Sequence, residues 1–169
     1  MRVYFFDTSA LVPRYNVGRF TGKVNRILTS PNSRFFVCEL TVVEMSSTLA
    51  QIYRRRNLRT ADFQQMQAMF ENDIADGLLQ VRGVTQADLI NARDLLEDAA
   101  VVNKRNLRSA DAIIGSCCRG FAYDLKRRVI FYTYDWTQYS SIFDIQSYRS
   151  ALKLRYLGKG KGGTPARTG

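Results

Sequence analysis

Histidine is absent from the whole of this 169-residue chain. Its absence excludes every Ser-His or Cys-His nucleophilic relay and every histidine general base. Cysteine is scarce: Cys38, Cys117 and Cys118 make an odd set, two of them adjacent. A secreted disulfide framework needs an even set at useful spacings, so this one predicts a reducing, cytoplasmic setting. Without histidine or a C-x-x-C pair, the sequence also argues against zinc. No apolar run approaches the ~18–20 residues that span a bilayer, so no membrane partner is expected. The opening MRVYFFDTSALV lacks the long apolar stretch and small-residue cleavage site of a signal peptide. Any catalysis must rest on carboxylates, lysines, hydroxyls or a hard metal ion.

What is present is an ordinary globular composition with an unusual charge. Apolar residues make up 46%, and a chain of this size can bury roughly 70% of its unfolded surface without staples. The net charge is +10, and 19 of the 25 cations are arginine. Arginine's planar fork matches phosphate oxygens, so the bias favours a polyanionic partner. Residues 60–100 hold eight acids against Arg82 and Arg93, a net −6 that leaves +16 for the remainder. A one-signed field of that size steers anions, and nucleic acid is the expected partner.

Short apolar runs alternate with amphipathic ones. Residues 2–6 (RVYFF), 35–38, 78–81 and 129–134 read as strands. Helical spacing marks 20–28, 41–56, 60–75, 85–102 and 109–121, with a helical turn from Thr8 that ends near Pro13 and another helical or turn segment from Trp136. Phe63, Met66 and Phe70 form one apolar stripe. This alternation predicts an α/β fold, a mostly parallel sheet of short strands flanked by helices. Residues 146–157 form a C-terminal extension with no clear pattern, and 158–169 (GKGKGGTPARTG), Gly-rich and basic with no apolar pattern, read as a disordered basic tail.

Four carboxylates recur at equivalent places. Asp7 follows the first strand, Glu44 begins the helix after the second, Asp111 begins the 109–121 helix, and Asp135 follows the last strong strand. In a parallel α/β sheet these places share the carboxyl edge, where ligands bind. Each also has a plainer explanation. Thr41-Val42-Val43-Glu44 fits a capping box, Asp111 a first-turn acid, and Asp135 an N-cap. Asp7, set between apolar runs, resists that treatment, because a nearly buried carboxylate is costly without a partner. Four acids in one cleft repel unless a cation joins them, and Mg²⁺ or Mn²⁺ takes oxygen ligands without histidine or cysteine. Composition and position thus predict a metal-dependent phosphoryl-transfer site.

Four stretches carry a family resemblance: VYFFDTSALV, ELTVVEMSSTL, LRSADAIIGS and FYTYDWT. In this order they resemble the motifs of PIN-domain proteins, in particular VapC-type ribonuclease toxins of toxin–antitoxin pairs. The similarity covers about residues 1–145, which it makes a PIN-like three-layer catalytic unit. The resemblance implies that Asp7, Glu44, Asp111 and Asp135 bind Mg²⁺ or Mn²⁺, with Thr8 and Thr133 as hydroxyls near the ion. It implies hydrolysis of RNA, tRNA or rRNA, by metal-activated water. It also implies a homodimer and a small cognate antitoxin. The Phe63 stripe then suits either core or partner, while Arg14, Arg54 and Arg108 are candidates for the RNA path. The alternative is a noncatalytic RNA-binding PIN module that holds a structural ion. A haloacid-dehalogenase-like phosphatase is excluded, since the second Asp it requires two residues after Asp7 is Ser9.

Overall fold

Aromatic and β-branched runs too short for helices build the centre of the molecule. The computed structural model describes residues 1–101, 107–143 and 146–156. In it, β1 (Arg2–Phe6), β2 (Ser33–Cys38), β3 (Leu79–Arg82), β4 (Val129–Thr133) and β5 (Leu152–Tyr156) form one sheet. The order is β3-β2-β1-β4-β5, and every neighbouring pair is parallel. Parallel neighbours require crossovers. These are α1 (Thr8–Tyr15), α2 (Thr21–Leu28), α3 (Glu39–Arg56), α4 (Thr60–Ala75), α5 (Gln86–Val101), α6 (Ser109–Asp124), α7 (Trp136–Phe143) and α8 (Gln146–Ala151). The expected α/β sandwich is present.

Period-two alternation divides the core between the two sheet faces. Val3, Phe5, Phe131 and Leu152 pack on one face beneath α5 to α8, with Leu95, Ile114 and Ile142. Tyr4, Phe6, Phe35 and Val37 pack on the other beneath α1 to α4, with Leu11, Leu49 and Phe70. Met66 and Phe70 are buried there and Phe63 packs against them, so the acidic segment's apolar stripe is core.

Three local readings change. α3 begins at Glu39 rather than Thr41, with Cys38 in the N-cap position. The capping box therefore does not form: Thr41 lies inside the helix, buried, and its hydroxyl lacks a hydrogen-bond partner. α1 runs through Pro13 to Tyr15, because the Asn16 N–H still reaches the Val12 carbonyl. Residues 146–156 supply α8 and β5, and β5 extends the sheet from Val129↔Leu152 to Thr133↔Tyr156. Its apolar half is only Leu152 and Leu154, set between Lys153 and Arg155, which hid the strand. The segment 158–169, expected to be a tail, lies outside the described residues.

Candidate active site

All four acids come to the carboxyl edge of the sheet and line one cleft of about 200 Å³ with Thr8, Ser9 and Arg108. Asp7 ends β1 and caps α1, accepting from the Ser9 N–H at 3.3 Å. That capping role was not expected of it. Its Oδ2 also accepts from the Ser9 hydroxyl and, at 3.0 Å, from Thr133 Oγ1 at the end of β4. Its Oδ1 accepts from the Tyr139 hydroxyl at 3.1 Å, across from α7. Three elements therefore hold one buried carboxylate in a single orientation.

Glu44 projects from α3 and accepts from Thr8 Oγ1 at 2.6 Å. Asp111, in the first turn of α6, accepts from Arg108 Nε at 2.5 Å. Asp135 caps α7, accepting from the Gln138 N–H at 3.3 Å, and also accepts from Arg108 Nη2 at 2.8 Å. So the plainer explanation of Asp135 and its place in the cleft are both true. Arg108 is the N-cap residue of α6, and its guanidinium spans two of the four acids.

Burial raises the Asp7 carboxyl from its ordinary 3.8 to about 6. Hydrogen bonds from Ser9 and Thr133 oppose that rise, whereas the charges of Asp111 and Glu44 add to it. Burial also raises Asp111, against the pull of Arg108. Tyr139 is pushed up by burial and by Asp7 beside it, so its hydroxyl stays a donor. Among the described residues no cation pairs with the buried Asp7 carboxylate, and the charges of Asp111 and Glu44 lie beside it. The donor set suits a hard divalent ion, which takes oxygen ligands and keeps several waters. Among the described residues, however, no three Asp, Glu, Cys or His side chains are gathered tightly enough to hold one. Hydroxyls engage both oxygens of Asp7, and Arg108 draws Asp111 and Asp135 to itself.

Sequence reasoning missed Ser9 and Tyr139 as partners of Asp7. Ser9 stands two residues beyond Asp7, and Tyr139 lies one helical turn beyond Asp135, which places it on the same face. Of the proposed RNA-path arginines, Arg14 is locked to Asp73 through Nε and, at 2.7 Å, Nη2, and it does not line the cleft. Arg54 is exposed near the C-terminus of α3, whereas Arg108 is in the cleft itself.

The parallel order β3-β2-β1-β4-β5 between flanking helices is the PIN-domain fold. No family model and no curated protein matches the sequence. Solved structures do share the fold. One is a chain of VapBC2 from Rickettsia felis, bound to a promoter DNA fragment, at TM-score 0.65 and 12% identity over 91% of this chain and 98% of that one. FitAcB from Neisseria gonorrhoeae gives TM-score 0.61 at 13% identity, covering 89% and 96%. VapC20 from Mycobacterium tuberculosis, a sarcin-ricin loop cleaving toxin, gives 0.57 at 18%, covering 82% and 94%.

Proposed function

We propose that this chain is a metal-dependent endoribonuclease of the VapC toxin type, hydrolysing RNA phosphodiester bonds. One observation carries the reading. Four separate segments each deliver a carboxylate to one cleft, in the fold of a toxin that cleaves the sarcin-ricin loop. Asp7, Glu44, Asp111 and Asp135 would hold Mg²⁺ or Mn²⁺ once the acids draw together and Arg108 releases Asp111 and Asp135, and the bound ion would lower the pKa of a coordinated water and offset charge on the leaving oxygen. The chain's own residues do the positioning. Ser9, Thr133 and Tyr139 fix the Asp7 carboxylate before any ligand arrives. Thr8 fixes Glu44 in the same way. Asp7 and Glu44 are thus preset, whereas Asp111 and Asp135 must first leave Arg108.

Structural neighbours solved as VapBC and FitAB complexes support a small cognate antitoxin as partner, and we extend the reading to a homodimer acting in the cytoplasm. One observation favours the alternative of a noncatalytic RNA-binding module: Arg108 already engages one oxygen of both Asp111 and Asp135. A single experiment separates the two. Purified protein is incubated with total RNA in Mg²⁺, in Mn²⁺ and in EDTA, beside Asp7→Asn. Discrete fragments that need both metal and Asp7 establish the nuclease. Tight binding without cleavage under every condition selects the noncatalytic module.

A further inference from the structure

The sheet is covered unevenly on the face that carries Tyr4 and Phe6. Along one cross-strand row, Phe6 pairs with Tyr132 and Tyr132 with Arg155. Burial falls along it, from 0% exposed at Phe6 through half-buried Tyr132 to exposed Arg155. The neighbouring row repeats the gradient, from buried Tyr4 through half-buried Ile130 to exposed Lys153. Leu152 and Leu154 belong to the opposite core, so alternation sends Lys153 and Arg155 outward on this face. Among the described residues, helix cover therefore stops at β4, and β5 presents an uncovered, basic half-face. Arg155 and Arg2 are both near enough to Tyr132 to act on its hydroxyl.

The same flank is free of acids. No Asp or Glu occurs in residues 8–38, 125–134 or 145–169. Those blocks supply α1, α2, β2, β4, α8 and β5. Among the described residues, none of Arg2, Arg19, Arg26, Lys153 and Arg155 is ion-paired to an acid. Toward the cleft the surface turns aromatic. Tyr134, 41% exposed, lies two residues past Tyr132, with its ring 5.1 Å from that of Phe20. The Arg19 guanidinium stands 5.4 Å from the Phe20 centroid. The Tyr134 N–H donates to Ser9 Oγ at 2.9 Å, and Ser9 in turn holds Asp7. At ~3.3 Å per residue, Lys153 lies roughly 10 Å below the level of Thr133. Cations and exposed rings thus run in sequence from β5 to the cleft.

We propose that this acid-free flank is the path by which single-stranded RNA enters the carboxylate cleft. Arg19, Lys153 and Arg155 take backbone phosphates, and the Phe20–Tyr134 pair stacks a base. The proposal rests on the RNA-cleaving reading above and adds the surface that presents the strand. Cationic tracks beside exposed aromatic rings bind single strands without base readout, because every base has a π-face.

The test is fluorescence anisotropy of a labelled single-stranded RNA oligonucleotide in EDTA, with cleavage assayed separately in Mg²⁺ and Mn²⁺. Lys153→Ala/Arg155→Ala should weaken binding about tenfold and lower the slope of log affinity against log salt by about 1.4, for two lost phosphate contacts. Tyr134→Ala should weaken binding about tenfold by removing the stacking ring. Lys153→Arg/Arg155→Lys should bind like wild type, and so should Arg93→Ala on the acidic side. A Lys153→Ala/Arg155→Ala protein that folds, cleaves and binds as wild type overturns the path while leaving the nuclease reading intact. Wild type that binds along this flank but cuts nothing overturns the nuclease reading and keeps the path. Self-association of the double variant with unchanged RNA affinity shows that the two cations only guard an edge strand, which also overturns the path.

Discussion

α4 and α5, which flank β3 in sequence, carry the acid-rich segment, and its two buried acids, Asp73 and Asp88, are committed to the fold. Asp73 is buried against Arg14, accepts from Tyr15 at 2.8 Å and helps anchor α4 to α1. Asp88 accepts from the N–H and hydroxyl of Thr85 at 2.9 and 2.8 Å and lies 3.8 Å from Arg82. Asp62 pairs with Arg59, while Asp94 and Glu97 pair with Arg93. At the β5 edge the opposite holds. Lys153 and Arg155 on β5 are exposed, as is Arg2 at the start of the central β1, and none has an acid in ion-pair reach among the described residues. Net charge alone hides this division. The acidic side keeps a net −6 over residues 60–100, so the field that attracts a polyanion comes from the other flank.

The largest expected effect contrasts two buried acids, one from each side. Asp7→Asn should reduce cleavage by about 10²–10³-fold, the scale at which loss of one preorganised group is felt. Asp73→Ala should leave cleavage per folded molecule unchanged but cost about 3–5 kcal/mol, since it strands Arg14 without its buried partner. Activity assays beside chemical denaturation check both. An Asp73→Ala protein that folds normally but cannot cleave would break the division between structural and chemical acids.

Next comes the pH dependence of the metal-free chain. The folded Asp7 pKa of about 6 lies above its ordinary 3.8. Folding therefore gains from protonated Asp7 at low pH, and that contribution is lost as pH rises from about 4 through 6. Two units correspond to about 3 kcal/mol at pH 7. Asp7→Asn should accordingly be more stable than wild type at pH 7, and the gap should close by pH 4. Thermal melts of both proteins in EDTA across that range measure it. A gap independent of pH would mean that Asp7 is ionised throughout.

Legibility in the sequence followed periodicity and position. The strand–helix alternation and the shared edge of Asp7, Glu44, Asp111 and Asp135 were readable because parallel topology turns place in the chain into place in space. Glu44 was misread locally. Its capping box assumed a helix start at Thr41, but the chain enters α3 at Glu39 and Glu44 turns to Thr8. Tyr139 was missed because its spacing from Asp135 shows only that the two share a face of α7, while its bond to Asp7 is a tertiary contact across 132 residues. β5 was hidden by its bare face: two leucines among three polar or aromatic residues are too little pattern for a strand until β4 lies beside it.

The smallest expected effect concerns Arg108, the one cation among the described residues that lines the acidic cleft. Its side chain is 61% exposed, so water screens its pairs with Asp111 and Asp135, and their grip is modest. It nevertheless occupies one oxygen of each carboxylate. An ion that uses those oxygens must displace it. Arg108→Ala should therefore tighten Mn²⁺ binding about fivefold, the upper range for an exposed pair. Arg108→Lys should fall between the two, because a single ammonium lacks the planar fork that spans both acids. Calorimetric titration with MnCl₂ in the absence of RNA reads this directly. Weaker binding in Arg108→Ala would reverse the assignment: the guanidinium would then hold Asp111 and Asp135 in place for the ion, and the cleft would be preorganised by its cation as well as by its hydroxyls.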